Sequence, residues 1–430
     1  MSDKNNQPST RNIIIAILST IVLADFGLGL NTVVLPLYAN SLGASIFTVG
    51  LIIASFGLAR ILINIPVSAL SKKFKSQFMH IGILSIFIGA VGYLISTNYY
   101  QLFVFRFLEG FGSGIINTSS MIILTKHLYQ NEKRARVLSA YMIARRLSMG
   151  SAPFLGALVA FYFSDKSAFL LYSIIMAIGL IVAYRNRRVL NFIQLAHDEE
   201  TAYAGDNHSV IEIEDHEDVK IKIGGAGKPK KNALSSYLLT LKNMSFLALC
   251  FLTFSFFFSR IGSRRELVPL VGSVIMNINK ADIGLLISIS AVTGIILTYY
   301  SDRIIDFMGV KKSILTSFVI TAAGFISFVI FKDIATFILS IILLSIGGGF
   351  SGPARNLYLM DNVERTNYDE AIGIYRTLSD FGFILGPFMA GAVFEYFNYL
   401  AAYSLMAVII ILATVLFWIF GKSSGSAPVR

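Results

Sequence analysis

The chain has 430 residues, of which 55% are hydrophobic and only 14% charged, a balance too apolar for a soluble globular domain. Soluble enzymes are excluded on that ground. The formal net charge of +11 does not point to nucleic acid either, because the basic residues gather in alternate connections between apolar runs, which is the pattern of membrane topology. A lone cysteine, Cys250, leaves no internal disulfide.

The leader MSDKNNQPSTR is polar and the apolar run after it lacks a small-residue cleavage site, so no removable signal peptide is expected and the first run stays as an anchor. Runs of about 20 apolar residues, each able to cross the ~30 Å hydrocarbon layer as a helix, follow at 12–38, 46–70, 77–97, 99–125, 136–163 and 167–185. Six more lie at 243–276, 281–300, 313–331, 334–358, 370–394 and 398–420. Lipid offers the backbone no hydrogen-bond partner and the runs are too long for barrel strands, so the expected fold is an all-α polytopic membrane protein with twelve spans.

The even-numbered connections carry Lys72, Lys73 and Lys75, then Lys126, Lys133, Arg134 and Arg136, then Arg185, Arg187 and Arg188, then Arg303, Lys311 and Lys312. The odd-numbered ones carry only Lys166, Lys280 and Lys332. Both termini are therefore expected in the cytoplasm, in a protein of the cytoplasmic membrane. Residues 1–185 and 243–420 read as two six-helix bundles, 186–242 as a polar cytoplasmic linker and 421–430 as a cytoplasmic tail. Within the linker, SVIEIEDHEDVKIKIGG alternates apolar and charged residues. It reads either as a small hairpin, with Glu212 and Glu214 facing Lys220 and Lys222, or as a mobile tether.

The two halves repeat each other. VVLPLYANSLG before FTVGLII is similar to ELVPLVGSVIM before ADIGLLI, and RRLSMGSAPFLGALVAFYF to SDFGFILGPFMAGAVFEYF. Pro36 aligns with Pro269, while Gly50 with Gly284 and Pro153 with Pro387 share a spacing of 234 residues. Near-constant spacing indicates duplication, and repeats in transporters bracket a central binding site. On this register Arg146 corresponds to Asp380, and Arg264 to Asn31.

At these residues the chain resembles the major facilitator superfamily, over all twelve spans. The family's Gly-x-x-x-Asp-Arg-x-Gly-Arg-Lys signature is degraded in VSALSKKFKSQ, where Ser71 replaces the acid and Phe74 the glycine. It is better kept in DRIIDFMGVKKS, with Asp306, Gly309, Lys311 and Lys312. The resemblance implies a latch at the cytoplasmic boundary, in which the aspartate caps or pairs near a neighbouring helix end. RFLEGFGSG, with Arg106, Glu109 and Gly110, looks like the family's fourth-helix signature, whose arginine is implicated in proton coupling. A structural ion pair explains the same two residues. The exporter motif Gly-x-x-x-Gly-Pro-x-x-Gly-Gly is similar to GFILGPFMAG, with Gly382, Gly386, Pro387 and Gly391. It is weaker in SMGSAPFLGA, which keeps Pro153 and Gly156, and a seam of this kind serves either rocking of the halves or plain packing.

Nine arginines lie at membrane depth or its margin, namely Arg60, Arg106, Arg145, Arg146, Arg260, Arg264, Arg265, Arg355 and Arg376. Four acids, Asp25, Glu109, Glu266 and Asp380, stand against them and leave a surplus of five. Each intramembrane charge costs at least about 2.5 to 3.5 kcal/mol, so these groups must pair, line water or meet a ligand. Arg106 with Glu109 and Arg376 with Asp380 are expected to pair within single helices, and Asp25 and Glu266 to neutralise two more. Arginine's fork suits carboxylate and phosphate, so Asn31, Arg145, Arg146, Arg264, Arg265, Arg355 and Arg376 are expected to bind an anionic or polar solute. Asp25, Glu109, Glu266 and Asp380, with Arg106, are the candidates for proton coupling, since no histidine lies well inside a span.

SRIGSRRELVPL concentrates the question, because Arg260 and Arg264 share a helical face that Arg265 and Glu266 do not. Either the helix is locally broken near Gly262 and the charged turn faces a central cavity, or the span ends by Ile261 and the arginines meet outer headgroups. No Walker loop, metal-spaced cluster or Gly-x-Ser-x-Gly elbow is present. The expected activity is secondary transport by a non-enzyme, with no cofactor and no metal. Its partners would be a small molecule, a proton or another coupling ion, and membrane lipid, and it would act as a monomer. A lipid or glycolipid flippase of the same fold is the alternative.

Overall fold

The computed structural model describes residues 10–127, 134–187, 243–363 and 368–422. The linker segment that carries Glu212, Glu214, Lys220 and Lys222 lies outside them, as does most of the tail and as do the side chains of Ser71, Lys72, Lys73 and Lys75. The helices are α1 (Thr10–Ser41), α2 (Ile46–Ile95), α3 (Tyr99–His127), α4 (Arg134–Tyr162) and α5 (Asp165–Arg185) in the first half. The second half holds α6 (Met244–Gly262), α7 (Lys280–Tyr299), α8 (Ser301–Met308), α9 (Val310–Phe331), α10 (Ile334–Asn362), α11 (Tyr368–Tyr396) and α12 (Tyr399–Phe420). No strand occurs among the described residues, and the fold is all-α and polytopic as expected.

One boundary differs from the sequence reading. The second and third spans form a single helical run of 50 residues, which drawn straight would measure about 75 Å. Its two ends nevertheless lie together: Ile46 N–H donates to Glu395 (2.9 Å) and the Ser96 carbonyl accepts from Tyr38 (2.8 Å). The chain therefore reverses between residues 64 and 78. Asn64 and Pro66 fall in this stretch, and a proline in a helix interior removes a hydrogen bond and bends the helix.

At the end of the molecule where α1 meets α2 the connections are short, because polar caps close them. Ser45, Ser164, Asn279, Asp333 and Asn398 each accept a backbone N–H from three residues ahead, at 2.7 to 3.2 Å. Such caps satisfy donors that a helix start leaves open. This is the short-turn end; the opposite, linker end carries the long connections.

The halves meet through α2 against α11 and α4 against α7. The duplicated residues meet crosswise. Gly50 lies under the Pro387 carbonyl and Gly284 under the Pro153 carbonyl, each with no room for a Cβ. Phe154 N–H donates to Ser288 (3.1 Å), Lys280 pairs with Asp165 (2.6 Å), and Phe47 packs on Phe388 and Tyr396. These contacts close the short-turn end.

Candidate functional site

In the N-terminal half two of the deep arginines, Arg106 and Arg145, are paired with acids. Glu109 accepts from Arg106 (2.6 Å), Asn31 (2.8 Å), Tyr93 (2.7 Å) and Tyr172 (2.5 Å), and all five residues are buried. Four donors fill the lone-pair sites of one carboxylate. The Arg106–Glu109 pair expected from the sequence is present, and Asn31, which the repeat set against Arg264, points its amide at Glu109 instead. Asp25 takes Arg145 with both oxygens (2.6 and 3.3 Å), and Tyr141 touches the same guanidinium (3.3 Å).

The C-terminal half is built differently. Pro269 has no N–H to return to residue 265, and its ring would crowd that carbonyl. Upstream of it the helix widens into a π turn at Ser263–Leu267, in which Val268 N–H reaches back to the Ser263 carbonyl. After one turn at Val268–Leu270 a second π turn follows at Val271–Ile275. The span therefore neither breaks nor ends at Ile261, and apolar residues continue it to Ile275. A widened turn fans consecutive side chains apart, so Arg264, Arg265 and Glu266 meet three different neighbours.

Arg264 donates to the Ile287 carbonyl of α7 (2.9 Å). With Arg260, Ser259 and Ser263 it lines a cavity inside the C-terminal bundle, bounded by α7, α9 and α10. Arg265 turns to the centre of the molecule, 5.5 Å from the Phe56 ring and 5.3 Å from the Phe383 ring. Those rings stack on each other across the two halves at 5.9 Å. Arg106 lies 4.6 Å from Phe56 and Arg60 5.4 Å from Phe383, so three guanidiniums surround the two stacked rings. Glu266 is 0% exposed, and neither of its oxygens has a hydrogen-bond partner among the described residues. The carboxyl occupies a notch between the halves, 2.8 Å from where a Cβ would stand on Gly50 and 2.5 Å from one on Gly391. The expected neutralisation of an arginine by Glu266 is not made.

Nor is the pair Arg376–Asp380. Arg376 is exposed and Asp380 half-buried, with no ion pair between them. At this exposure water competes for both groups, and holding two long side chains in register yields little. Arg355 is buried and donates to the Ser351 carbonyl (3.2 Å), its guanidinium 4.1 Å from the Phe256 ring and 5.9 Å from those of Phe257 and Phe318. Arg146 is exposed and bonds only the Thr298 hydroxyl among the described residues.

The latch residues sit at the linker end. Gly309, at φ +81°, makes the corner between α8 and α9 in a conformation that favours glycine. Lys311 grips the carbonyls of Trp418 (3.2 Å) and Gly421, where a cation suits a helix C-terminus. Asp306 and Lys312 are exposed, and Asp306 neither caps nor pairs, which corrects the expectation for it. The latch here ties α9 to α12 inside one half. Of the seam residues, Gly156 abuts the Leu30 carbonyl, and Gly382 and Gly386 abut those of Phe254 and Phe258, so these three pack within their own halves while the prolines face across.

Sequence reasoning missed Tyr93, Tyr172, Phe56 and Phe383, whose roles arise only when distant spans meet. It also passed over Ser259 and Ser263, although the Ser-Arg step recurring at four residues was in view. No group of His, Cys, Asp or Glu able to hold a metal occurs among the described residues.

Comparison with known proteins follows this geometry. The Major Facilitator Superfamily profile matches residues 17–276 and 249–430. A relative from Methanocaldococcus jannaschii, an uncharacterised MFS-type transporter, is 19% identical over 94% of this chain and 97% of its own. The quinolone resistance protein NorA of Staphylococcus aureus is 23% identical over 87% of this chain and 88% of its own. Among solved structures, the nucleoside transporter NupG superposes with a TM-score of 0.72 at 15% identity, covering 96% of this chain and 99% of that one. A bacterial homologue of the iron transporter ferroportin, in an inward-facing state, gives 0.68 at 14% identity, covering 96% and 100%. The chain belongs to the Major Facilitator Superfamily, and is a membrane transporter of that fold.

Proposed function

We propose that this superfamily member is a proton-coupled secondary carrier that works by alternating access and exports a small organic solute bearing an anionic or polar group. The observation that carries this reading is Glu266, a fully buried carboxyl with no partner, placed where the halves touch. An ion left unpaired in such a place is prohibitively costly. A carboxyl there therefore carries a proton while the seam is closed and releases it when the seam opens to water, which couples a proton to the change of access. Asp380, half-buried, is the second proton candidate.

Closure at the short-turn end supports a state open toward the linker end, which the lysine and arginine bias assigns to the cytoplasm. Relatives named for multidrug efflux and quinolone resistance support drug-like cargo and export. No observation among the described residues favours the lipid-flippase alternative. The test is uptake of a quinolone and of a lipophilic cation dye into proteoliposomes under an imposed pH gradient. Wild type should accumulate the quinolone against its gradient. Glu266→Gln should retain downhill flux and lose accumulation, whereas wild-type accumulation by both Glu266→Gln and Asp380→Asn would overturn the reading.

A further inference from the structure

The cavity inside the C-terminal bundle stands apart from the seam between the halves. It encloses about 40 Å³, room for a few waters or a group of carboxylate size. One wall carries Ser259, Arg260, Ser263 and Arg264, because a Ser-Arg step repeated at four residues sets two hydroxyls and two guanidiniums on neighbouring stripes of one helix. The wall from α9 and α10 is mostly apolar, with Phe325, Ile341 and Leu344 beside Thr321 and Ser345.

Ser259 is 1% exposed and its hydroxyl has no hydrogen-bond partner among the described residues, while Ser263, 0% exposed, has only the Tyr403 hydroxyl beside it. Their neighbours Ser255 and Ser290 return their hydroxyls to a carbonyl three residues back, at 2.8 Å each. The ordinary way of satisfying a helical serine is thus in use nearby and not taken by these two. A buried hydroxyl without a partner is unfavourable, and an acceptor in the cavity removes the deficit. The charge is unbalanced in the same sense. Arg264 gives one N–H to the Ile287 carbonyl and Arg260 lies 5.4 Å from the Phe256 ring, and neither pairs with a carboxylate among the described residues. Arg146 and Arg355 add positive field at Arg260.

We propose that this cavity is a binding site for the carboxylate of a small organic acid. The Arg264 fork and the hydroxyls of Ser259 and Ser263 hold its oxygens, Arg260 covers the open side, and the acid's apolar body lies along Phe325, Ile341 and Leu344. This deepens the carrier reading, on which it rests for the site's purpose, by naming a chemical class. Cations alone do not require a carboxylate over a phosphate; the small volume and the apolar wall do.

Thermal shift of the purified protein in phosphatidylcholine nanodiscs tests it, since a ligand of the folded state raises the melting temperature by mass action. Benzoate should stabilise the wild type. Loss of a charge-assisted fork should weaken apparent benzoate affinity about tenfold in Arg264→Gln, and loss of one hydroxyl about threefold in Ser259→Ala. The Ser259 hydroxyl has no partner among the described residues, so Ser259→Ala removes no bond within the protein and a folding defect does not confound it. Equal benzoate response in all three proteins would overturn the site. So would stabilisation by inorganic phosphate alone, or by added phosphatidylglycerol alone. None of these results touches proton-driven accumulation, so failure here and failure of the carrier reading are separable.

Discussion

The two halves, which match each other as a sequence repeat, treat buried charge differently. In the N-terminal half two arginines are paired with acids: Arg106 and Glu109 meet at 2.6 Å inside a shell of Asn31, Tyr93 and Tyr172, and Asp25 takes Arg145 with both oxygens, while the Nε of Arg60 and of Arg106 has no partner among the described residues. In the C-terminal half Arg260, Arg264, Arg265 and Arg355 lie on phenyl faces and carbonyls, while Glu266 has no partner. Satisfied polar networks rigidify what they join, and unsatisfied groups store a demand that a ligand or a proton can meet. The comparison teaches that duplication leaves one copy free to serve as scaffold while the other keeps reactive charge.

The largest effect should come from breaking the scaffold. Arg106→Ala leaves Glu109 as a buried anion without its cation, and loss of one partner of a buried pair costs about 3 to 5 kcal/mol. Thermal unfolding in detergent should show the variant as the least stable of the set. Next is the seam. A side chain at Gly50 collides with the Pro387 carbonyl and the Glu266 carboxyl, so Gly50→Val should destabilise the closed short-turn end by about 1 to 3 kcal/mol, the range for overpacking. Spin labels placed on the turns at 42–45 and 397–398 should then move apart, and unchanged distances would remove the seam from the account. The smallest effect belongs to Lys280→Ala. Its pair with Asp165 lies at the half-exposed rim, where such pairs contribute about 0.2 to 1 kcal/mol, and melting should fall by no more than that.

Architecture was legible in the sequence because length and hydropathy alone dictate membrane helices. The Arg106–Glu109 pair was legible too, since i and i+3 on one helix leave few alternatives. The same rule failed for Arg376 and Asp380, because exposure, not spacing, decides whether two long side chains hold together. The break expected near Gly262 appeared as a π turn; Pro269 gave the cause in the sequence, but whether a helix widens, kinks or stops at proline depends on its neighbours. The four-donor shell of Glu109 draws on spans up to 78 residues away, and no local pattern announces such a meeting.

The central claim, that charges of the first half hold the fold while charges of the second half serve the solute, is tested most directly by two measurements on the same two variants. Melting temperature and benzoate affinity should be taken for Arg106→Gln and Arg264→Gln in identical nanodiscs. The account predicts that Arg106→Gln loses much melting temperature and keeps affinity, and that Arg264→Gln, which gives up a single bond to the Ile287 carbonyl, loses far less melting temperature but loses affinity. Equal destabilisation by both substitutions, with affinity unchanged in Arg264→Gln, would contradict it.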